Sequence, residues 1–551
     1  MFVHEVIARE VAATGTDTVF GLLGDANLFM VNSFVKEQNG TYVSAVHEAS
    51  AVMMAYGYAC RGARLGVATV TQGPGLTNTA TALTEAARSG KPLLVITGDT
   101  APGNKLNQQT LDTEPFVAAT GAGYVLVERP EDAAAAVRTA ARRALAESRP
   151  YVLNCPTEYQ WQVATADADD TGADDTGADD TGADAWPVSG EHKLPAEEVI
   201  EEALGVIAAA RRPLVLAGQG VTGKEQRQAV LAFAERLGAP IATTLRARNL
   251  YSAAEGCVGV CGTVSTEPGV LAIGESDCIV AFGASLNTWT TVRNSLIQGK
   301  SVVHVDTNPE RFRPEVPVTV AVAGDAADVA QQFTEMLDAA EIAPSGFRNR
   351  VSAGLTQAGL MHDAPLGSKV TLAGVLSAIN RALPTQRTVV YDGGRFQGEA
   401  FKYSWSTDYR SEVPTTDFGA VGMGMGAAIG AAAFARDEPT LLVTGDGGFM
   451  MNGLAELHSA IRAGLSPIVV ICNDGSYGAE YDQFLARGLS PELSLFEWPD
   501  FAEVARALGA EGLTVTSVSD VAAVVAACDS PTRPVVIDVR IAPGDIPEVP
   551  H

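Results

Sequence analysis

The stretch GDGGFMMNGLAELHSAIRAGLSPIVVICNDGS, Gly445 to Ser476, decides the fold. A short apolar run, PTLLVT, leads into Gly445-Asp446-Gly447, a helical pattern follows, and a second apolar run, PIVVIC, opens into Asn473-Asp474-Gly475. Buried strand, helix and buried strand in this order form the repeating unit of a parallel sheet covered on both faces. Ligands of open α/β sheets sit beyond the carboxyl ends of the strands, and both ends here carry glycine and polar residues. Asp446 and Asn473 stand 27 residues apart on neighbouring strand ends. A carboxylate, an amide oxygen and a free backbone carbonyl at that place suit a hard cation such as Mg²⁺. Gly447 and Gly448 let the backbone approach a phosphate at the start of the following helix. GDGG or NDG alone would read as a turn; the spacing within one strand–helix–strand unit makes them a site.

The pattern extends in both directions. TVVYDGG and RPVVIDV add strands to the same domain, which begins near Lys369 and runs over 369–551. At the other end of the chain, strands are expected at Thr18 to Leu23, Gly66 to Thr71, Pro92 to Thr97 and Pro150 to Asn154. Helices are expected at Ser50 to Cys60, Asn78 to Ser89 and Glu131 to Glu147. This first domain spans 1–165. A middle domain over 191–340 opens with a helix at Leu194 to Ala210. It continues through RRPLVLAGQG, a helix at Lys224 to Leu237, APIATTL, CIVAFGA and SVVHVDTNP. The expected fold class is therefore α/β, three doubly wound parallel-sheet domains. Residues 166–190 contain DDTGA three times and read as a solvated acidic linker. Residues 341–368 read as a second, partly helical connector.

Composition narrows the function. The 551 residues suit three or four domains at roughly 150 residues each. The net charge is −27, and removing the eight Asp of the linker leaves −19. So acidic a surface disfavours nucleic acid and anionic membranes. The amino terminus lacks a signal-peptide pattern. The most apolar long stretch, Gly419 to Ala435, is too short and too rich in Gly and Ala for a membrane span. Seven Cys show no paired framework and no zinc spacing, which fits a reducing cytoplasm.

GDG followed by 25 residues and then Asn resembles the diphosphate–metal motif of thiamine diphosphate (ThDP) enzymes, and the resemblance extends over nearly the whole chain. The acetolactate synthase and pyruvate decarboxylase group is the most similar. The resemblance implies three domains: pyrimidine-binding, central nucleotide-type and diphosphate-binding. It further implies that Asp446 and Asn473 bind Mg²⁺ by side chain and Gly475 by its carbonyl, with Gly445, Gly447 and Gly448 at the diphosphate. Val46-His47-Glu48-Ala49-Ser50, which follows a strand and opens a helix, resembles the motif whose Glu contacts the aminopyrimidine ring. Glu48 is thereby implied as the acid that lets the cofactor become a carbanion. Thr71-Gln72-Gly73-Pro74-Gly75-Leu76-Thr77-Asn78 resembles TSGPGATN, giving Gly73, Pro74 and Asn78 as cofactor contacts, with Gln72 in place of the common Ser. Phe418 to Gly424 resembles the strip that holds the cofactor bent, with the Gly419 carbonyl on the aminopyrimidine and Val421 between the rings. Gly394, Arg395 and Phe396 fall where relatives hold the diphosphate, although the usual Gln-His is Arg395-Phe396 here.

Three stretches bear on substrate. Gly24 to Leu28 resembles PGDFNL, implying that Asp25 faces the substrate. Asn107 to Leu111 aligns with HHTL of pyruvate decarboxylase, with Gln108 and Gln109 in place of both His. NDGSYGAE resembles NDGYTIE with one residue added, which brings in Tyr477 and Glu480. Gln does not donate and recover a proton at neutral pH, and acetolactate synthases carry Gln in this region. The resemblance therefore implies a carboligase: a 2-oxo acid is decarboxylated and the resulting carbanion or enamine attacks a carbonyl acceptor. A simple 2-oxo acid decarboxylase or an acyloin lyase is the alternative. A non-catalytic ThDP- or nucleotide-binding paralogue is another, opposed by the intact Glu48, Asp446 and Asn473. The central domain of relatives holds FAD or ADP, and His304-Val305-Asp306 sits where they contact ribose. The Arg-containing FAD stretch is replaced by Gly283 to Asn287, so neither nucleotide is assigned. The family places the cofactor between two chains, implying a homodimer or homotetramer.

Overall fold

The structure is a computed structural model that describes residues 1–62, 64–100, 106–164, 194–353, 355 and 361–547. The acidic DDTGA segment and part of the second connector lie outside the described residues. Three six-stranded sheets account for all the strands. The first comprises β1 (Thr18–Gly21), β2 (Thr41–Ser44), β3 (Gly66–Thr69), β4 (Leu93–Asp99), β5 (Gly123–Leu126) and β6 (Tyr151–Pro156). The second comprises β7 (Pro213–Ala217), β8 (Ile241–Thr243), β9 (Cys257–Val260), β10 (Cys278–Phe282), β11 (Ser301–Asp306) and β12 (Val320–Ala323). The third comprises β13 (Thr388–Tyr391), β14 (Glu412–Pro414), β15 (Thr440–Gly445), β16 (Ile468–Asn473), β17 (Glu511–Val515) and β18 (Val535–Arg540). Pairing is parallel, as in Val443 opposite Val470 and Phe20 opposite Ala68. The first and third sheets share one order, β2-β1-β3-β4-β6-β5 and β14-β13-β15-β16-β18-β17; the second runs β12-β11-β10-β7-β8-β9.

Two compact units result. One combines Met1–Pro187, Pro365–Ala400 and Val413–His551, so it contains the first and third sheets; the other combines Val188–Ala364 with Phe401–Glu412. Within the first unit the sheets are joined by two helices, α1 (Glu48–Gly62) and α3 (Gly424–Phe434), between which lies α2 (Ala80–Arg88) in sequence. The crossing of α1 and α3 is a backbone contact. A Cβ on Gly57 would lie 2.0 Å from the Ala427 carbonyl oxygen, and one on Gly430 would lie 1.7 Å from that of Met54. No side chain fits, and both helices are buried nearly all round, with Val52, Met53, Ala428 and Ile429 fully covered. This accounts for the Gly/Ala-rich run: it is a helix that must be thin.

Helix α4 (Leu454–Arg462) follows the Gly445-Asp446-Gly447-Gly448 turn, but not directly. Phe449–Gly453 forms a π-helical turn between them. Helix α5 (Gly478–Ala486) follows the β16 loop. Among the described residues, no helix is long and apolar enough to cross a membrane.

Candidate active site

The carboxyl ends of β13, β15 and β16 and the loop before α3 surround a cavity of about 460 Å³, lined by Gly394, Val421, Asp446, Gly447, Tyr477 and Glu480 among others. Asp392, fully buried at the end of β13, ties three of these segments together. Its Oδ1 accepts from the amides of Gly393 (2.8 Å), Gly422 (3.1 Å) and Met423 (3.1 Å), and its Oδ2 accepts from Thr444 Oγ1 (2.8 Å). Burial raises its carboxyl above the ordinary range, opposed by hydrogen bonds from the Thr444 hydroxyl and the Gly393, Met423 and Gly424 amides.

Asp446, Asn473 and Gly475 stand together beside this hub. Asp446 is 3% exposed. Its Oδ1 accepts from Gly447 N–H (2.7 Å) and its Oδ2 from Gly475 N–H (2.8 Å). Asn473 donates its amide nitrogen to Asp538 (2.8 Å), which leaves the amide oxygen as its free acceptor. Gly475 has φ +64°, a conformation that favours glycine. Burial, and then the charge of Asp474, push the Asp446 carboxyl up to about 7. A buried carboxylate so disfavoured in its charged form, beside an amide oxygen and a carbonyl, fits a hard divalent cation. The donor set is mixed; among the described residues no cluster of three His, Cys, Asp or Glu forms a metal site. A Cβ on Gly447 would meet the Tyr477 ring at 2.8 Å, so the ring lies directly over this turn.

Arg395 is engaged by acids. It pairs with Asp474 (2.9 Å) and Asp482 (2.6 Å) and also donates to the Pro543 carbonyl. It braces the Asp474 loop and, with Gly394 and Phe396, lines the cavity. Val421 is 38% exposed at the rim, with one methyl packed where a Gly448 side chain would be.

The remaining sequence-predicted residues gather at the carboxyl ends of the first sheet. Glu48 is the first residue of α1, where an acid is favoured by the helix dipole. Its Oε2 accepts from Asn78 Nδ2 (2.9 Å). Gly73 has φ +60°, and a Cβ there would lie 2.8 Å from the Gln109 carbonyl oxygen, so this turn is pressed against the 106–111 segment. Gln72, whose role the sequence left open, is buried. Its Oε1 accepts from Thr71 Oγ1 (2.7 Å) and its Nε2 donates to Gln109 Oε1 (2.6 Å). Gln108 and Asp25 are exposed, and the Asp25 carbonyl accepts from Gln160 (2.9 Å).

The described contacts join residues within each set: Glu48 with Asn78, Gln72 with Gln109, Asp446 with Gly475. Framework residues connect the two sets. Glu456 of α4 accepts from the amides of Val46 and His47, and Glu85 of α2 accepts from those of Asp417 and Phe418. Sequence reasoning missed both. One signal was available: each is an acid on the apolar stripe of its helix, Glu456 beside Leu457 and Ala460, Glu85 beside Ala82 and Ala86.

In the other unit, the loop after β7 is closed upon its neighbour. Gly218 N–H donates to the Phe282 carbonyl (2.8 Å) and Gly220 N–H to the Gly283 carbonyl (3.1 Å). His304 is buried with Nε2 on the Ala284 carbonyl (2.7 Å), and burial lowers its pKa. Asp306 accepts from Asn308 N–H (2.9 Å).

Comparison with known proteins agrees with the fold of three parallel sheets. Three family models match in chain order: thiamine pyrophosphate enzyme, N-terminal TPP binding domain, at residues 1–116; central domain, at 200–333; and C-terminal TPP binding domain, at 392–539. A probable 2-ketoarginine decarboxylase of Pseudomonas aeruginosa is 29% identical over 522 residues, covering 92% of this chain and 88% of that protein. The acetolactate synthase large subunit of Corynebacterium glutamicum is 26% identical, covering 97% and 86%. A sulfoacetaldehyde acetyltransferase of Alcaligenes xylosoxydans is 25% identical, covering 94% and 88%.

Proposed function

Because the chain belongs to the thiamine pyrophosphate enzyme family, we propose that it is a ThDP- and Mg²⁺-dependent carboligase: it decarboxylates a 2-oxo acid and joins the remaining acyl unit to a carbonyl acceptor. Asp446, Asn473 and Gly475 would hold Mg²⁺. Gly445, Gly447 and Gly448 would face the diphosphate, with Gly394 and Phe396 on its other side and Arg395 bracing the metal loop. Gly419 and Val421 would meet the ring end, opposite Gly73 and Pro74. Bound ThDP supplies a nucleophilic carbon and an electron sink. Glu48 would exchange a proton with the aminopyrimidine, its free carboxylate oxygen presented by the Asn78 hydrogen bond on the other.

The observation that carries ligation over simple decarboxylation is the Gln72–Gln109 pair. Gln109 has its amide oxygen occupied by Gln72, so its NH₂ is the group left to donate. An amide orients a carbonyl oxygen but does not protonate a carbanion. With Gln108 and Asp25 nearby on the same sheet edge, this face suits a second carbonyl compound. Incubation with a panel of 2-oxo acids, with and without aldehyde or ketone acceptors, tests the reading. A hydroxyketone or 2-hydroxy-2-acyl acid is expected; free aldehyde as the sole product would reverse it. The second reading, simple decarboxylation, is favoured by Glu480, a titratable carboxyl at the cavity, and by similarity to a protein named as a decarboxylase.

Domain limits of 1–165, 191–340 and 369–551 belong to this proposal, as does assembly into a dimer or tetramer with the site between copies. Exposure of Val421, Tyr477 and Met451 around the cavity supports that assembly; an active monomer in light scattering would overturn it. A cytoplasmic location is supported by seven cysteines, all buried and none joined in a disulfide.

A further inference from the structure

Two carboxylates that neither the cavity nor the cation set uses are buried where the first and third sheets meet. Glu456, in the first turn of α4, is 0% exposed. Its Oε1 accepts from two consecutive amides, Val46 N–H (3.0 Å) and His47 N–H (2.9 Å), and its Oε2 is buried with no hydrogen-bond partner among the described residues. Glu85 of α2 is also 0% exposed. Its Oε1 accepts from Asp417 N–H (2.8 Å) and its Oε2 from Phe418 N–H (2.6 Å).

The two arrangements mirror each other. Helix α2 follows β3 and α4 follows β15, the third members of two sheets with one strand order. The loop that Glu456 holds leaves β2; the loop that Glu85 holds leaves β14, the matching edge strand. Each helix adds a basic residue to the same loop. Arg462 donates to the Ser44 carbonyl (3.2 Å), and the Arg88 guanidinium lies over the Phe418 ring at 4.5 Å. Each loop then runs straight into the candidate site: Glu48 follows His47, and Gly419 and Val421 follow Phe418.

Burying a carboxylate is costly, and an apolar side chain of similar size would hold two layers together at least as well. What a carboxylate adds is geometry. One rigid group that takes two successive N–H donors fixes the orientation of that peptide pair. For Glu456 those donors lie just ahead of α1, at a helix start where amides lack partners within the helix. We infer that Glu456 and Glu85 are positioning residues of the reaction: Glu456 sets the place of Glu48, and Glu85 sets that of Gly419–Val421, each from the opposite domain of the same chain. In the proposed assembly each site lies between two copies, so every chain holds its Glu48 surface for one site in register with its Gly419–Val421 surface for the other through a reciprocal pair of carboxylate clamps. This rests on the ThDP reading, in which Glu48 activates the cofactor.

The test compares Glu456→Gln, Glu456→Asp and Glu456→Ala, with the matching Glu85 variants, in the full-length protein loaded with ThDP and Mg²⁺. Gln keeps an acceptor at the right distance, whereas Asp keeps the charge but draws it back. Three readouts are taken: amide hydrogen exchange of the segments around residues 44–48 and 416–421, exchange of the bound cofactor's thiazolium proton, and ThDP affinity. For Glu456 variants, Asp and Ala should slow thiazolium exchange at least tenfold and speed amide exchange at 44–48. ThDP affinity should stay within about threefold, and Gln should stay near wild type. For Glu85 variants, Asp and Ala should speed amide exchange at 416–421 and weaken ThDP binding at least tenfold, with Gln again near wild type. If Ala variants fail to fold, the order Gln above Asp decides. Asp equal to or better than Gln, or thiazolium exchange unaffected in Glu456→Asp, overturns the inference. Glu48→Gln is measured alongside. If it leaves thiazolium exchange unchanged, the ThDP reading of Glu48 fails; if it slows exchange while the Glu456 variants do not, only the clamp fails.

Discussion

The first and third sheets share a strand order and carry opposite equipment on it. At the carboxyl ends of β13, β15 and β16 stand a buried carboxylate, a buried hub at Asp392 and glycine turns, a surface suited to cation and phosphate. At the corresponding ends of β1 to β4 stand Glu48, Asn78 and the Gln72–Gln109 pair, a surface to which the proposed function gives proton exchange and carbonyl orientation. The framework decides where a loop will stand, and the loop decides what it does. A pair of similar scaffolds in one chain can thus carry the two kinds of surface that one reaction uses, each completed by the other copy in the proposed assembly. Within the chain the scaffolds meet at two helices touching at the backbone.

The sharpest way to separate the two sides is Glu48→Gln. It removes a titratable group from the first side and nothing from the second. Turnover should fall on the order of 10³-fold while ThDP stays bound, read by steady-state kinetics beside calorimetry. Loss of binding in parallel would mean that the two surfaces are not distinct. Next in size is the contact between them. A side chain on Gly430 has no room against the Met54 carbonyl. Gly430→Val should therefore cost about 3 kcal/mol or more of folding stability, seen as an earlier urea midpoint. An unchanged midpoint would show that the layers slide.

The last effect concerns pH. Asp446, at 3.8 in its unperturbed state, is pushed up to about 7 in the fold. Between those values the folded metal-free protein binds a proton that the unfolded chain does not. Its stability should therefore fall as pH rises from about 4 through about 7 and level off above. Mg²⁺ must displace that proton, so apparent Mg²⁺ affinity should fall as pH drops below about 7, by up to about tenfold per unit. Thermal melts with and without Mg²⁺ across this range check both signs.

How much the sequence disclosed depended on how local each feature was. Interior strands such as β4, β10 and β16 read clearly because both faces are buried and the apolar run is unbroken. The unread strands β5, β9, β12, β14 and β17 all lie at or beside a sheet edge, half-buried or only three residues long. Helix Asn78 to Ser89 proved to be a short turn at Pro74–Thr77 followed by Ala80–Arg88. Asp446, Asn473 and Gly475 were legible because one βαβ unit holds all three. Glu456 and Glu85 were not, since their partners lie 410 and 332 residues away in sequence. The role of Gln72 was hidden for the same reason: its partner Gln109 lies 37 residues on, in the segment after β4.

The π-turn at Phe449–Gly453 has a consequence for which changes this family of sequences tolerates. A π-turn holds about one more residue than an α-turn but goes round through nearly the same angle, because it widens to take the extra residue in. Delete any one of Phe449 to Gly453 and the segment closes into ordinary helix, with α4 beyond it in nearly its old phase. Glu456 would still face the Val46 and His47 amides, and Arg462 would still face Ser44. The same deletion inside α4, ahead of Glu456, has no wide turn to absorb it and would swing Glu456 off those amides by about 100°. The π-turn is thus a place where a residue can be gained or lost at the diphosphate side without disturbing the clamp behind it.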